Sequence, residues 1–186
     1  MIRNKNDLKD FLEADKKALG RKNRRPAFND LIWKYEILLR KCEYYQNVSS
    51  RNPIHKLLRG GYRYKRFKVG LRCGFSIPLN TCGKGLFLAH LGTIVISNYA
   101  SIGENCRILV DVNIGADARD GKAAPHIGNN VYIGPGAKIF GNISIADNCA
   151  IGANAVVNKN FEIENCSIAG VPAKVINTKG VSNILK

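Results

Sequence analysis

Histidine is scarce in these 186 residues, which hold three, together with one methionine and one tryptophan. Imidazole chemistry is therefore confined to His55, His90 and His126. No apolar run approaches the roughly 18 residues of a membrane-crossing helix, and Met1 to Asp10 is polar and charged, so neither a span nor a signal peptide is expected. The six cysteines (Cys42, Cys73, Cys82, Cys106, Cys149, Cys166) form no CxxC pair and no metal-ligand spacing. That argues against a zinc site and a disulfide framework, and points to free thiols in a reducing cytoplasm. A P-loop, a GxGxxG turn and a Ser-His-Asp order are all missing. Acids are few as well: 14 against 29 Lys and Arg, a net charge of +15. The imbalance is local, because residues 1–72 hold 20 Lys and Arg against 7 acids and residues 73–186 hold 9 against 7. Such a field either belongs to a solvated basic face or draws in an anionic substrate, a nucleotide, a lipid phosphate or a membrane surface.

What the chain does have is a register of six. Ile96, Ile102, Ile108 and Ile114 are followed, after an interruption of eleven residues, by Ile127, Ile133, Ile139, Ile145, Ile151 and Val157. Small or turn-forming residues follow directly (Gly103, Gly115, Gly128, Gly134, Gly152, Ala146), and compact ones stand four further on (Ala100, Cys106, Val131, Ala137, Cys149, Ala155). This period is neither that of an amphipathic helix nor the alternation of an ordinary strand. It predicts a mainly β fold, a parallel β-helix of hexapeptides over residues 69–176, three short strands to a coil of about eighteen residues. Asn98, Asn105, Asn129, Asn130 and Asn148 suit its corners, since asparagine tolerates positive φ. The interruption, Ala116 to His126, predicts an extruded loop, a usual place for function.

Residues 1–68 predict a basic, α-helical N-terminal part. Asn4 or Asn6 caps a first helix, and Pro26 opens a second whose apolar residues run from Phe28 to Tyr45. A third segment from Asn52 is expected to be helical to Arg59 and to break at Gly60 and Gly61. The run Tyr62 to Lys68 interleaves aromatics with cations as single-strand nucleic-acid binders do. One short run beside a helix-to-coil junction is better read as a packed face, so a nucleic-acid partner is not expected. Residues 177–186 are a C-terminal tail.

His55 reads as a surface residue. His90 lies among apolar residues in Leu86-Phe-Leu-Ala-His-Leu-Gly-Thr-Ile-Val-Ile96, where a satisfied core histidine is the default and a reactive group the alternative. Neither His90 nor His126 has a His, Cys or carboxylate at ligand spacing beside it, so no metal is expected.

Several stretches resemble the hexapeptide-repeat acyltransferases, in particular the serine O-acetyltransferase branch and its relatives in capsule and colanic-acid biosynthesis. They are Gly74-Phe-Ser-Ile-Pro78, Gly83-Lys-Gly85, Ala89-His-Leu-Gly-Thr-Ile-Val95, Val112-Asn-Ile-Gly115, Pro125-His-Ile-Gly128, Gly134 to Ile143, Ile151 to Val156 and Ala169-Gly-Val-Pro-Ala-Lys174. The resemblance implies a left-handed coil and a homotrimer with acetyl-CoA in a groove between neighbouring subunits. It also implies His90 as the general base that activates a hydroxyl. For the cofactor it implies Gly136, Ala137 and Ala155 along the pantetheine arm, with Lys138, Lys174, and Lys122 or Arg119 near the phosphates. For the acceptor it implies Ser76, Asn113 and His126.

The departures matter too. The serine enzymes have aspartates at the positions of Ala89 and, nearly, Ser76, and an Arg-His pair where this chain has Ala123 and Ala124. A site without a carboxylate for an ammonium group should bind serine poorly. The expectation is therefore a sugar hydroxyl in surface-polysaccharide synthesis, with Ser76 or a backbone carbonyl orienting His90. The basic helices would face an anionic membrane surface or lipid-linked sugar. Serine O-acetyltransferase of cysteine biosynthesis is the alternative, because Asp15 could reach the acceptor.

Overall fold

Each strand of the repeat is two to four residues long and turns its register residue inward: Ile94 and Ile96 are buried while Val95 between them is exposed. The computed structural model describes residues 1–48, 52–182 and 184. Within them the chain visits three parallel sheets in rotation. The first face holds β1 (Phe75–Ser76), β3 (Ile94–Ile96), β6 (Val112–Gly115), β9 (Lys138–Phe140) and β12 (Val156–Val157). The second holds β4 (Ser101–Ile102), β7 (His126–Ile127) and β10 (Ser144–Ile145), extended by single bridges at Cys82 and Phe161. The third holds β2 (Phe87–Leu88), β5 (Arg107–Ile108), β8 (Tyr132–Ile133), β11 (Ala150–Ile151) and β13 (Ser167–Gly170), closed by the antiparallel β14 (Ala173–Asn177).

Five coils result, and like residues stack: Ile102 on Ile127, Ile108 on Ile133, Ile114 on Ile139. Burial of each such side chain contributes roughly 1.5–3 kcal/mol. At one corner Asn105, Asn130, Asn148 and Asn165 all adopt φ between 54° and 59°. The Asn105 amide donates to Asn130 Oδ1 at 3.2 Å and that of Asn130 to Asn148 Oδ1 at 2.9 Å. Asn98 and Asn129 are not among the positive-φ residues; Asn129 Oδ1 instead accepts from the Glu104 amide. The interruption leaves the coil between β6 and β7 as an extruded segment, and the register resumes at Ile127.

The helical part differs from expectation in two places. Asn4 caps α1 (Lys5–Ala18), its side chain accepting from the amides of Asn6 and Asp7. The second helix, α2 (Leu31–Asn47), starts four residues after Ala27 because Asp30 Oδ1 accepts from the Trp33 amide, so Pro26 lies outside it. The third, α3 (Pro53–Cys73), runs unbroken through Gly60 and Gly61. Two glycines weaken a helix by about 1 kcal/mol each. Packing of Gly70 and Cys73 beneath Tyr35 and Phe75 outweighs that loss. The boundary expected after Lys68 thus falls inside a helix, and the first strand begins at Phe75.

The first coil has no coil beneath it, and charged side chains from the helices take that place. Its amides alternate: those of Phe87 and Ala89 donate upward to the carbonyls of Cys106 and Ile108. Those of Leu86, Leu88 and Asn80 donate to the carboxylates of Asp15, Glu36 and Glu43, at 2.9, 3.2 and 2.9 Å. The Arg40 guanidinium donates to the carbonyls of Cys82 and Gly83, to Asp15 at 2.7 Å and to Glu43 at 3.1 Å. Arg66 donates to the Ile77 carbonyl at 2.7 Å. Arg40, Asp15, Glu36 and Glu43 are all buried. Burial pulls the Arg40 guanidinium down, but Asp15 and Glu43 more than offset this and hold it charged.

Glu36 is different. Burial, then the charge of Asp15, pushes its carboxyl well above the usual range, and its second oxygen has no hydrogen-bond partner among the described residues. At the other end of the coil the amide of Val181 donates to the Asn148 carbonyl, so the expected tail is anchored there.

Removing Arg40 strands two buried carboxylates, so Arg40→Ala should lower unfolding free energy by about 3–5 kcal/mol in urea titration. A loss below about 1 kcal/mol would mean that the cluster does not hold the cap. Glu36 binds a proton more tightly folded than unfolded, so its contribution is present at low pH and fades as pH rises above the ordinary carboxyl range. Glu36→Gln removes the titration. The stability of Glu36→Gln relative to the parent should climb between pH 5 and 8, by up to about 1.4 kcal/mol per pH unit, and a flat difference would contradict the assignment.

Candidate active site

The residues between β2 and β3 turn the chain from the third face to the first. Leu88 and Ile94 on either side are buried, which pins the turn from both ends and leaves His90 at its tip, exposed. The core-histidine default therefore does not hold. Among the described residues the imidazole makes no hydrogen bond, and Ser76, expected to orient it, stands on the outward side of β1 in register with Val95.

The edge that begins at His90 continues through residues 109–111, 134–137 and 152–155, one step per coil. Steps of about 4.8 Å place Gly136 roughly 10 Å and Ala155 roughly 14 Å along the edge. Ala137 and Ala155 are fully buried beneath it, so no side chain of theirs protrudes from the edge. Gly136 has φ 75°, and a Cβ there would run into the Asn154 side chain. Lys138 Nζ donates to the Asp111 carbonyl at 2.6 Å, which brings its charge to the same edge. Lys174, exposed on β14 and paired with Ala169, stands at the far end of the prism. The structure thus strings His90, Gly136, Ala137, Lys138 and Ala155 along one edge with Lys174 past its end.

Other expected residues lie elsewhere. Asn113 stands in the outward file of the first face between Val95 and Lys138. His126 points outward from the second face, its Nδ1 2.8 Å from Ser101 Oγ, with Arg119 and Lys122 on the extruded segment preceding it. Asp15, expected near the acceptor, is buried with both oxygens engaged, on Arg40 and on the Leu86 amide. It holds the cap and is closed to a ligand.

A charged pair that sequence reasoning missed lies nearer His90. Arg21 and Asp30 flank the connection between α1 and α2 and meet with Nε 2.8 Å from Oδ2. They line a cleft of about 370 Å³ with Asn29, Ile32 and Leu91, the residue after His90. Asp30 is legible as a helix cap three residues before Trp33, but nothing in the spacing pairs it with Arg21. Among the described residues no three His, Cys, Asp or Glu side chains converge to hold a metal ion, and no helix is long and apolar enough to cross a membrane.

With this geometry in place the chain can be set beside known proteins. The sequence profile described as "Bacterial transferase hexapeptide (six repeats)" matches residues 124–159. The chain is 39% identical over 100 residues to a serine acetyltransferase of Synechococcus elongatus, which covers 53% of this chain and 41% of that one. A serine acetyltransferase of Staphylococcus aureus strain Mu50 is also 39% identical over 100 residues, 53% of this chain and 46% of the relative. The chain therefore spans less than half the length of these curated relatives. Among solved structures, soybean serine acetyltransferase complexed with serine superposes with a TM-score of 0.70 at 26% identity, over 91% of this chain and 69% of that one. These findings support the hexapeptide transferase resemblance. They also overturn the expectation of a sugar hydroxyl in surface-polysaccharide synthesis: the relatives are serine acetyltransferases, not capsule or colanic-acid enzymes. The absence of aspartate at position 89 was too narrow a ground, because an ammonium partner can come from another element.

Gly136→Ala should destabilise the chain by roughly 1–2 kcal/mol, since any Cβ is strained at that φ. Gly121→Ala, in open space, is the control and should move the urea midpoint little. Equal effects of the two would contradict the crowding assigned to this edge.

Proposed function

We propose that the protein is an acetyl-CoA-dependent O-acetyltransferase with L-serine as acceptor and His90 as general base. In this reading it works as a homotrimer of left-handed β-helices. The observation that carries it is the exposed imidazole at the head of an edge that runs past Gly136 and Lys138, with Lys174 beyond its end. That edge runs about 14 Å from His90 to Ala155, a length a pantetheine arm can follow, and Lys138 and Lys174 would offer the phosphates their charges. His126 and the segment of Arg119 and Lys122 lie on other sides of the same prism, so they meet His90 only across a seam between copies.

Serine is favoured because its acetylating enzymes are the relatives, and because the cleft beside Leu91 holds one charge of each sign. Serine entry would have to open the Arg21–Asp30 pair, its carboxylate taking Arg21 and its ammonium the Asp30 Oδ2 so released, while Oδ1 stays on the Trp33 amide; this is the role that Ala89 cannot fill. Neutral His90 then removes the hydroxyl proton as the serine Oγ attacks the thioester carbonyl. The tetrahedral intermediate collapses, the C–S bond breaks, and the imidazolium returns the proton to the CoA thiolate. Neutral imidazole and two products remain. General-base assistance of this kind contributes typically about 10² to 10⁴ in rate, and holding both substrates in place supplies a further large share.

Two variants check the reading. His90→Ala should lower kcat/KM for CoA release with L-serine by about 10² to 10⁴ in a protein that keeps its assembly state. Arg21→Ala should raise KM for serine with kcat little changed, as loss of ground-state binding does. Undiminished turnover without His90 would refute the base, and CoA release with other hydroxyl acceptors but none with serine would refute the acceptor.

A further inference from the structure

Helix α3 has seven Lys and Arg and no acid in its 21 residues. Its inner side packs through Gly70 and Cys73, both buried. On the opposite side Leu57, Tyr64 and Leu71 recur every seventh residue and so form one line along the helix. They are 75%, 62% and 66% exposed, with Ile54 and Phe67 beside them at 63% and 61%. An apolar ridge of this length open to water calls for a partner. Lys65, Lys68 and Arg72 flank it on one side, and Lys56 and Arg63 on the other. Among the described residues no cation of α3 forms an ion pair: Arg66 is bound to the Ile77 carbonyl, and Lys68 rests over the Tyr64 ring. The ridge also borders a groove of about 520 Å³ between α2 and α3, where Arg24, Arg25, Lys34 and Lys41 face Lys65 and Lys68 and no acid is present.

We propose that this ridge docks the protein on an anionic lipid bilayer, the Leu57–Tyr64–Leu71 line entering the headgroup boundary and the flanking cations meeting lipid phosphates. The charge pattern selects this occupant. A contact of α3 with α3 of a second copy would press like charges together with no acid to offset them, and residues 73–186, the other surface a second copy offers, hold no excess of acid, 9 Lys and Arg against 7. A nucleic acid would match the cations but gains nothing from exposed Ile54, Leu57 and Leu71. A convex apolar ridge between two basic flanks fits a bilayer surface, where both halves of the pattern contribute. This inference does not depend on the acetyl-transfer reading, because vesicle binding is measured without substrates.

The test is sedimentation of the full chain with vesicles of phosphatidylcholine alone and of phosphatidylcholine mixed with phosphatidylglycerol. Binding to the anionic vesicles alone, released by added salt, is expected. Each cation near such a surface is worth several-fold in affinity, so Lys65→Gln with Lys68→Gln should weaken binding about tenfold or more. Leu57→Glu with Leu71→Glu should weaken it at least as much while CoA release stays unchanged. Equal binding to neutral and anionic vesicles, no binding to either, or full binding by the leucine double variant would overturn the proposal. So would a smaller assembly of that variant in light scattering without vesicle binding by the parent, since the ridge would then be covered by a second copy.

Discussion

A stack of hydrogen-bonded coils has to end, and its end coil presents a row of amides and carbonyls with no coil to receive them. Leaving several of these buried and unpaired would cost several kcal/mol. Here two arginines and three carboxyl groups cover the row: Arg40 serves the carbonyls of Cys82 and Gly83, Arg66 that of Ile77, and Asp15, Glu36 and Glu43 serve the amides of Leu86, Leu88 and Asn80. The helices are thus the terminating layer of the prism, joined to it by charge-assisted hydrogen bonds as well as by apolar packing of Tyr35 and Leu39. This layer also leaves the open edges of the first coil covered, which a parallel coil needs to avoid edge-to-edge association.

The same cluster locates the candidate site. Holding α1 and α2 against the first coil carries their connection, with Arg21 and Asp30, to the corner where Leu91 follows His90. Asp15 illustrates the trade: a carboxylate that looks available for an acceptor is consumed by the cap, and the charged pair that borders a cleft lies instead at the connection between the helices. The imidazole heads an edge whose lower steps are kept bare by Gly136 and by the inward-turned Ala137 and Ala155. The prism therefore presents a straight edge, and the helical layer presents a polar cleft beside Leu91 at its head.

The coil was legible from the sequence because each six-residue step repeats the same physical demand, one branched residue inward and a tolerant residue at the corner. Ile96 to Val157 mark every strand they predict, and the extruded segment is visible as a break in that register. The helices were less legible. Gly60 and Gly61 argue locally for a break, yet packing against α2 and the first coil carries α3 on to Cys73, a contact between distant residues that no window reveals. Pro26 is a permissible first-turn residue, but the cap bond from Asp30 decides the start of α2. The site divides in the same way. His90 stands out as an ionisable ring among apolar residues, whereas the Arg21–Asp30 pair and the burial of Asp15 follow from tertiary placement alone. The acceptor expectation erred because it rested on one local fact, the missing aspartate at Ala89, while the relatives are serine acetyltransferases.

The account is tested most directly by determining the structure with CoA and L-serine bound. It predicts the CoA sulfur within hydrogen-bond reach of the serine hydroxyl and His90, the pantetheine arm along Gly136 and Ala155, and the serine carboxylate on Arg21. CoA bound away from this edge, or serine held with neither Arg21 nor His90 in contact, would contradict it.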